Sequence, residues 1–309
     1  MRNTILQVVI AIFSLILFNN FHIDNKELNR KFVPVFSEDP AFISVDSSWA
    51  DSVLYTLSLE EKIGQMIMMP AYSNRSSSHR DELLKIIKKD KIGGILFFQG
   101  GPVRQAQMTN CFQQESCVPL LIAIDGEWGL GMRLDSVISY PRQMILGAVQ
   151  DNDLVYRMGF EIAEQMKQLG IHMNFAPVAD INNNPENPVI NSRSFGDNRY
   201  NVAEKVIAYF SGMQNNGLLV TAKHFPGHGD TDTDSHLTLP VLNHSKQRLD
   251  SLELFPFRES FSRGLSGVMV GHLHVPALDD SPGRPSTLSW NISTGLLVEQ
   301  MGFKGLIVT

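Results

Sequence analysis

The sequence predicts a (β/α)8 barrel of which about seven strands are present, and three observations lead there. Short, continuously apolar runs recur along the chain, most of them closed by Gly, Pro or a charged residue. Between most of them lie amphipathic stretches of helical spacing, the pattern of a parallel sheet covered on both faces. Polar residues collect at the C-terminal ends of the runs, where a barrel builds its site. No Gly-rich phosphate loop follows the first run, which disfavours an open dinucleotide-binding sheet. Nothing repeats at a solenoid period. The 309 residues, 43% hydrophobic and 19% charged, suffice for one large α/β domain.

The first element is a leader. Met1 and Arg2 precede an apolar run from Ile5 to Phe18, broken only by Gln7 and Ser14. This reads as a signal-peptide core and is short for a spanning helix, which needs about 20 residues. Asn19, Asn20, Phe21 and His22 make a poor cleavage site, so an uncleaved anchor is the alternative for residues 1–21. An exported protein of the periplasm or cell envelope is expected, with membrane association through the same residues. Residues 22–48, with Pro34 and Pro40 among scattered charges, read as a linker, and one barrel domain is expected over 49–309.

The barrel elements follow in order. Ser58 to Met66 has a capping serine, an acidic first turn and helical apolar spacing. The expected strands are Ile67–Met69, Gly94–Phe98, Leu120–Asp125, His172–Ala176, Leu218–His224, Gly267–His272 and Gly305–Thr309, with helices over Asp153–Gly170 and Asn201–Gly217 among those between them. Cys111 and Cys117 admit either a disulfide across a short loop or two free buried thiols, and neither has metal-ligand spacing. The net charge of −6 comes without a basic block, so nothing points to nucleic acid.

The densest chemistry is Lys223-His224-Phe225-Pro226-Gly227-His228-Gly229-Asp230-Thr231-Asp232-Thr233-Asp234-Ser235-His236, which runs from a strand end into a Gly- and Asp-rich loop. Asp230, Asp232 and Asp234 alternate as in a calcium loop, but Ser235 stands where the glycine belongs and Val241 where the closing glutamate belongs. His224, His228 and His236 could hold a transition metal, but Pro226 and Gly227 forbid the helix that would align the first two. The third reading is acid/base chemistry by an Asp-His pair, in which the carboxylate orients the imidazole and raises its basicity.

The whole string resembles the hallmark of the bacterial β-N-acetylglucosaminidases of glycoside hydrolase family 3. The resemblance implies that His236 is the general acid/base and Asp234 its partner. Ile124 to Arg133 is similar to the family's D-x-E-G-G-x-x-x-R segment, which implies that Asp125 and Arg133 hold the sugar. Trp128 replaces the first glycine of that pair, either to stack on a sugar face or to pack at the rim. Asn187 to Gly196 resembles the family's arginine loop, making Arg193 a sugar ligand along with Lys223 and His224. The structural alternative for Arg193 and Lys223 is pairing with Asp180 or Asp197. His272 and His274 form an HxH at another strand end, read as rim packing and hydrogen bonding.

The resemblance runs from about Ser58 to Thr309. It implies hydrolysis of terminal, non-reducing β-linked N-acetylhexosamine with retention, on peptidoglycan-derived glycans, with no cofactor and no metal. The family's nucleophile is an aspartate directly after a strand written G-F-x-G-L-I-V-T, and this chain reads Gly302 to Thr309 there and stops. A fragment that is inactive by itself is therefore expected. A β-glucosidase of the same family, a metal-dependent barrel hydrolase and a non-catalytic sugar-binding domain are the alternatives.

Overall fold

The computed structural model describes residues 39–233 and 238–309. The expected leader, residues 22–38 of the expected linker, and Asp234 and His236 lie outside the described residues. The remainder of the linker stretch holds a 3-10 turn, Ala41–Ser44, and the first helix, α1, covers Ser48–Thr56. Lys304 Nζ donates to Asp39 Oδ1 at 2.7 Å and ties this stretch to the segment before the last strand. Helix α2, Leu59–Gln65, starts where the sequence predicts. Ser58 Oγ accepts from the Glu61 N–H and the Glu61 carboxylate accepts from the Ser58 N–H, a reciprocal cap that satisfies two otherwise orphaned donors.

Every expected strand forms. Strands β1 (Met68–Tyr72), β2 (Gly94–Gln99), β3 (Leu121–Ile124), β4 (Met173–Asn174) and β5 (Leu219–Val220) pair in that order, all parallel. A second parallel group joins β6 (Ala222–Phe225), β7 (Gly267–Val270) and β8 (Leu306–Val308). The fifth expected strand is thus divided into β5 and β6. The division falls at Thr221, whose N–H is shared between the carbonyls of Asn174 and Ala176 and so leaves the regular ladder. Because β5 and β6 are consecutive, the seven runs form one curved wall in sequence order, the topology of a (β/α)8 barrel. Among the described residues no pairing joins β8 to β1.

The wall closes on an apolar interior. Ala123, Met173 and Phe175 are buried, and Met68, Leu96, Leu121, Leu219, Met269 and Val308 pack against them, so nearly every strand contributes an inward side chain. Between the strands run helices α3 (Ser77–Asp90), α4 (Pro102–Glu115), α5 (Gln143–Gly147), α6 (Asn152–Gln168), α7 (Arg199–Asn215), α8 (Lys246–Ser251) and α9 (Phe255–Phe261), with a π-helical segment at Asn291–Gln300. Among the described residues no helix is long and apolar enough to cross a membrane. Both cysteines carry free thiols. Cys117 is exposed and Cys111 half-buried, so neither is the buried thiol that one reading expected.

Helices α6 and α7 meet most closely, through two glycines. A Cβ on Gly159 would lie 2.3 Å from the Tyr209 carbonyl oxygen, and one on Gly212 would lie 2.1 Å from that of Tyr156. The contact matters to the site because Tyr209, fully buried on α7, donates its hydroxyl to the Glu127 carbonyl at 3.0 Å. Gly212→Ala is therefore expected to destabilise the domain. Alanine improves helix propensity by about 1 kcal/mol, but overpacking against rigid backbone costs about 1–3 kcal/mol. A lower urea midpoint with an unchanged m-value is the expected result, and a raised midpoint would show that the helices separate freely.

Candidate active site

The C-terminal ends of β3, β4 and β6 bring six ionic side chains together. Asp125 follows β3 directly. Its Oδ1 accepts from Lys223 Nζ at 2.5 Å and its Oδ2 from Arg133 Nη2 at 2.5 Å, while Arg133 Nε donates to the Asp125 carbonyl at 2.9 Å. Two residues on, the Glu127 carboxylate is fully buried. It accepts Arg193 through Nη2 at 2.6 Å and Nε at 2.9 Å, and meets Lys223 Nζ at 2.8 Å. The Lys223 side chain, 2% exposed, thus bridges two carboxylates. A buried ammonium without such partners would be costly enough to lose its proton.

Asp180 organises the other half. It lies in the chain that follows β4, and its buried carboxylate accepts the His224 ring Nδ1 at 2.7 Å and the backbone N–H groups of His224 and His228, the latter at 2.7 Å. The Lys223–His224 peptide is cis. With Nδ1 donating to Asp180, His224 Nε2 is left as an acceptor toward Arg193 Nη2, 3.4 Å away. Burial drives the His224 pKa down despite the neighbouring Asp180, so the ring is neutral near pH 7. Burial works against the Asp180 charge, yet its bonds from the His224 ring and the His228 backbone hold that carboxyl below the ordinary range. Burial likewise opposes the charge on Glu127, and the Lys223 ammonium and Arg193 guanidinium outweigh it and hold that carboxyl well below its usual value.

Amide side chains fix the backbone that carries these groups. Asn174 of β4 is fully buried and grips both polar groups of Gly126, its Oδ1 accepting from the N–H at 2.9 Å and its Nδ2 donating to the carbonyl at 3.1 Å. Asn187 donates to the His228 carbonyl at 2.8 Å and accepts from the N–H groups of Val189 and Ile190, so the Arg193 loop is bolted to the loop after β6. The site therefore offers Asp125, Arg133, Arg193 and His224 as partly exposed groups, with side-chain exposures of 16–22%, over a buried floor of Lys223, Glu127 and Asp180. Such a surface suits a neutral polyhydroxyl ligand, since carboxylate acceptors and cationic donors alternate across it.

The structure gathers all five expected binding residues: Asp125, Arg133, Arg193, Lys223 and His224. The expected catalytic pair, Asp234 and His236, lies outside the described residues. The structural pairing foreseen for Arg193 and Lys223 exists, but its partner is Glu127, with Asp125 for Lys223, and neither Asp180 nor Asp197. Asp180 is instead committed to His224. Sequence reasoning gave Glu127 no role, although an acid two residues after Asp125 at a strand end is the signal that would have found it. Trp128 is half-buried and one of its faces is occupied, with the Arg142 guanidinium 4.7 Å from the ring. His272 and His274 do sit at the rim, bonded to Thr287 and to the Arg284 carbonyl.

For a metal, the described residues offer Asp230, His244 and Glu253, whose ligand atoms lie within 4.8 Å of one another. Arg248 already supplies a cation there, 3.4 Å from Asp230 and 3.2 Å from Glu253, so the donor set fits an ion poorly. His224 and His228, the expected alternative ligands, spend Nδ1 on Asp180 and Thr231.

Glu127→Gln is expected to remove a buried charge from between two cations, at a cost of about 3–5 kcal/mol. The folded-state pKa of Glu127 is depressed, so its contribution is fully present above the ordinary glutamate value of 4.5 and is lost as pH falls toward the folded pKa. The stability gap between wild type and variant should accordingly be wide at pH 7 and narrow below pH 4.5. Urea titrations across that range measure it, and a gap independent of pH would show that the ion pairs do not hold this carboxyl ionised.

Comparison with known proteins agrees with the geometry. Residues 58–309 match the N-terminal domain of glycosyl hydrolase family 3. Beta-hexosaminidase A of Pseudoalteromonas piscicida is 36% identical over 251 residues, covering 74% of this chain and 42% of that protein. A beta-N-acetylglucosaminidase/beta-glucosidase of Cellulomonas fimi is 30% identical over 270 residues, covering 85% of this chain and 47% of that one. The structure of a family 3 beta-N-acetylglucosaminidase from Paenibacillus sp. str. FPU-7 superposes with a TM-score of 0.76 at 42% identity, over 82% of this chain and 49% of that one. The chain spans about half the length of these relatives. With the family model covering most of its length and the ionic cluster seated at the strand ends of a parallel barrel, the chain belongs to glycoside hydrolase family 3.

Proposed function

We propose that this barrel binds a terminal, non-reducing β-linked N-acetylglucosamine residue for hydrolysis with retention, on peptidoglycan-derived glycans. The observation that carries the reading is the joined cluster of Asp125, Arg133, Lys223, Arg193 and His224 at the barrel mouth. Asp125 accepts sugar hydroxyls, Arg133 and Arg193 donate to ring substituents, and the neutral His224 edge completes the wall. Lys223 bridges the two carboxylates and orients them. The relatives named as hexosaminidases and N-acetylglucosaminidases support the N-acetylhexosamine substrate.

The acid/base assignment rests on the loop motif. In it His236 protonates the departing oxygen and later activates water, with Asp234 orienting and charging the ring. The covalent step needs a carboxylate facing the anomeric carbon, and the likeness of Gly302 to Thr309 to the family's nucleophile strand supports an aspartate next to β8 in that role. The apolar run of residues 5–18 supports an exported protein. None of these roles calls on a metal.

The full-length protein should hydrolyse a chromogenic N-acetyl-β-glucosaminide, releasing the β-anomer first, and should retain its rate after exhaustive chelation. Asp125→Asn should lower kcat/KM about 10–100-fold, in line with about 1.5–3 kcal/mol for a hydrogen bond to a charged group. Equal turnover of the corresponding glucoside, or indifference to Asp125→Asn, would defeat the assignment. Activity lost to EDTA and restored by zinc would favour the metallohydrolase alternative.

The acid role has its own signature. Removing a general acid costs about 10²–10⁴-fold, and less where the leaving group departs readily without a proton. His236→Ala should impair cleavage of a disaccharide far more than cleavage of a nitrophenyl glycoside, and Asp234→Ala should follow in the same direction by less. Equal losses on the two substrates would remove His236 from the acid role.

A further inference from the structure

We propose that the cleft between the start of helix α3 and the flank of helix α4 is a second ligand site, which takes a phosphate group as its dianion, free or as a monoester. The site stands apart from the sugar-binding cluster and does not depend on the glycosidase reading.

The cleft, of about 270 Å³, opens beside the turn that follows β1. Arg75 reaches it from that turn, Arg80 from the first turn of α3 and Arg104 from the first turn of α4. Among the described residues no carboxylate lines it, so its charge is of one sign, and a cleft of one sign concentrates its field on an opposite ion. The turn that carries Arg75 is held by its neighbours. The Tyr72 N–H donates to His79 Nε2 at 3.2 Å and the Ser73 N–H to the Gln99 carbonyl at 2.8 Å. The Arg75 guanidinium lies over the Tyr72 ring, 3.7 Å from its centre.

The donors suit a tetrahedral anion. Among the described residues Arg75 has no carboxylate partner. Stacking uses the face of its guanidinium and leaves the in-plane N–H fork for a ligand. Arg80 gives Nε and Nη2 to Asp81, and Arg104 gives Nη2 to Asp135. Both pairs stand in solvent with their acids outside the cleft, and exposed pairs of this kind hold weakly. Helix α3 adds its positive end. Its N-cap, Ser76, makes no side-chain cap bond, its first turn holds no acid, and Ser76 and Ser77 both line the cleft. A carboxylate presents two oxygens in one plane and fills a single fork. A phosphate dianion presents three oxygens in different directions, which matches donors arriving from a turn and two helices. The sugar cluster lies beyond a wall of rings. Tyr72 stacks on Phe98 with ring centres 5.8 Å apart, and the Arg133 guanidinium covers Phe98 at 4.9 Å. Two aromatic rings thus separate Arg75 from the arginine that holds Asp125.

The test is calorimetric titration of the full-length protein with inorganic phosphate, glycerol 3-phosphate and dimethyl phosphate at low ionic strength. Inorganic phosphate should bind, and dimethyl phosphate, a monoanion with two oxygens blocked, should bind about 5–10-fold more weakly. Arg75→Gln and Arg80→Gln should each weaken phosphate about 5–10-fold, as loss of a charge-assisted contact at an exposed site allows. The urea midpoint of Arg80→Gln should not move, which separates loss of the site from loss of the fold. Binding should fade in about 0.5 M salt. Glycerol 3-phosphate bound as tightly as inorganic phosphate would assign the cleft to monoesters, and its exclusion would assign it to the free ion; both agree with the proposal. No binding of phosphate, binding indifferent to both substitutions, or phosphate displaced by N-acetylglucosamine would overturn it.

Discussion

Lys223 sits within β6 with almost no exposure, and its ammonium is tolerable there because Asp125 and Glu127 close on it from the end of β3. The rest of the site depends on this contact. It spans the barrel mouth and joins two strands, β3 and β6, that the ladder does not pair directly. Each carboxylate then holds a guanidinium of its own, Arg133 on Asp125 and Arg193 on Glu127. Three loops are in this way drawn to one point by charge. Loss of Glu127 would take from Lys223 one of its two carboxylates and from Arg193 its carboxylate partner, so the cluster is both a binding surface and a constraint on loop position.

The polar network beneath it keeps that surface rigid. Asn174 clamps the backbone between Asp125 and Glu127, Asn187 joins the arginine loop to the loop after β6, and Tyr209 reaches from α7 to the Glu127 carbonyl. Each of these groups is buried and paired, so the orientation of the exposed donors and acceptors is set before any ligand arrives. The close approach of α6 and α7 through Gly159 and Gly212 belongs to the same design, because it is the packing that brings Tyr209 within reach.

Much of the fold was legible in the chain. The strands announced themselves as continuous apolar runs because both faces of a parallel sheet are covered, and the Ser58 cap is a local reciprocal bond that needs no tertiary context. The break within the fifth strand was not legible, since it arises where the Thr221 N–H is shared between two carbonyls of the neighbouring chain. At the site, five binding residues could be named because the segments that carry them resemble motifs of the family. Their partners could not. Arg193 and Glu127 are far apart in sequence, as are Lys223 and Asp125, and although the position of Glu127 two residues after Asp125 marks it as a site residue, it does not say which cation it meets.

The sequence by itself determined the period and order of the elements, because these follow from local spacing and side-chain type, while the binding residues it named came through a family resemblance. Only the tertiary structure decided which charges neutralise which. It committed Asp180 to His224, whose imidazole burial keeps neutral against the pull of that carboxylate, and it gave Glu127 its two cations. It also turned Trp128 from a bare departure in a motif into the support of Arg142. The physical reason is the same in each case. The energy of a buried charge depends on what lies within a few ångströms of it, and that distance is set by chain crossings that no local pattern encodes.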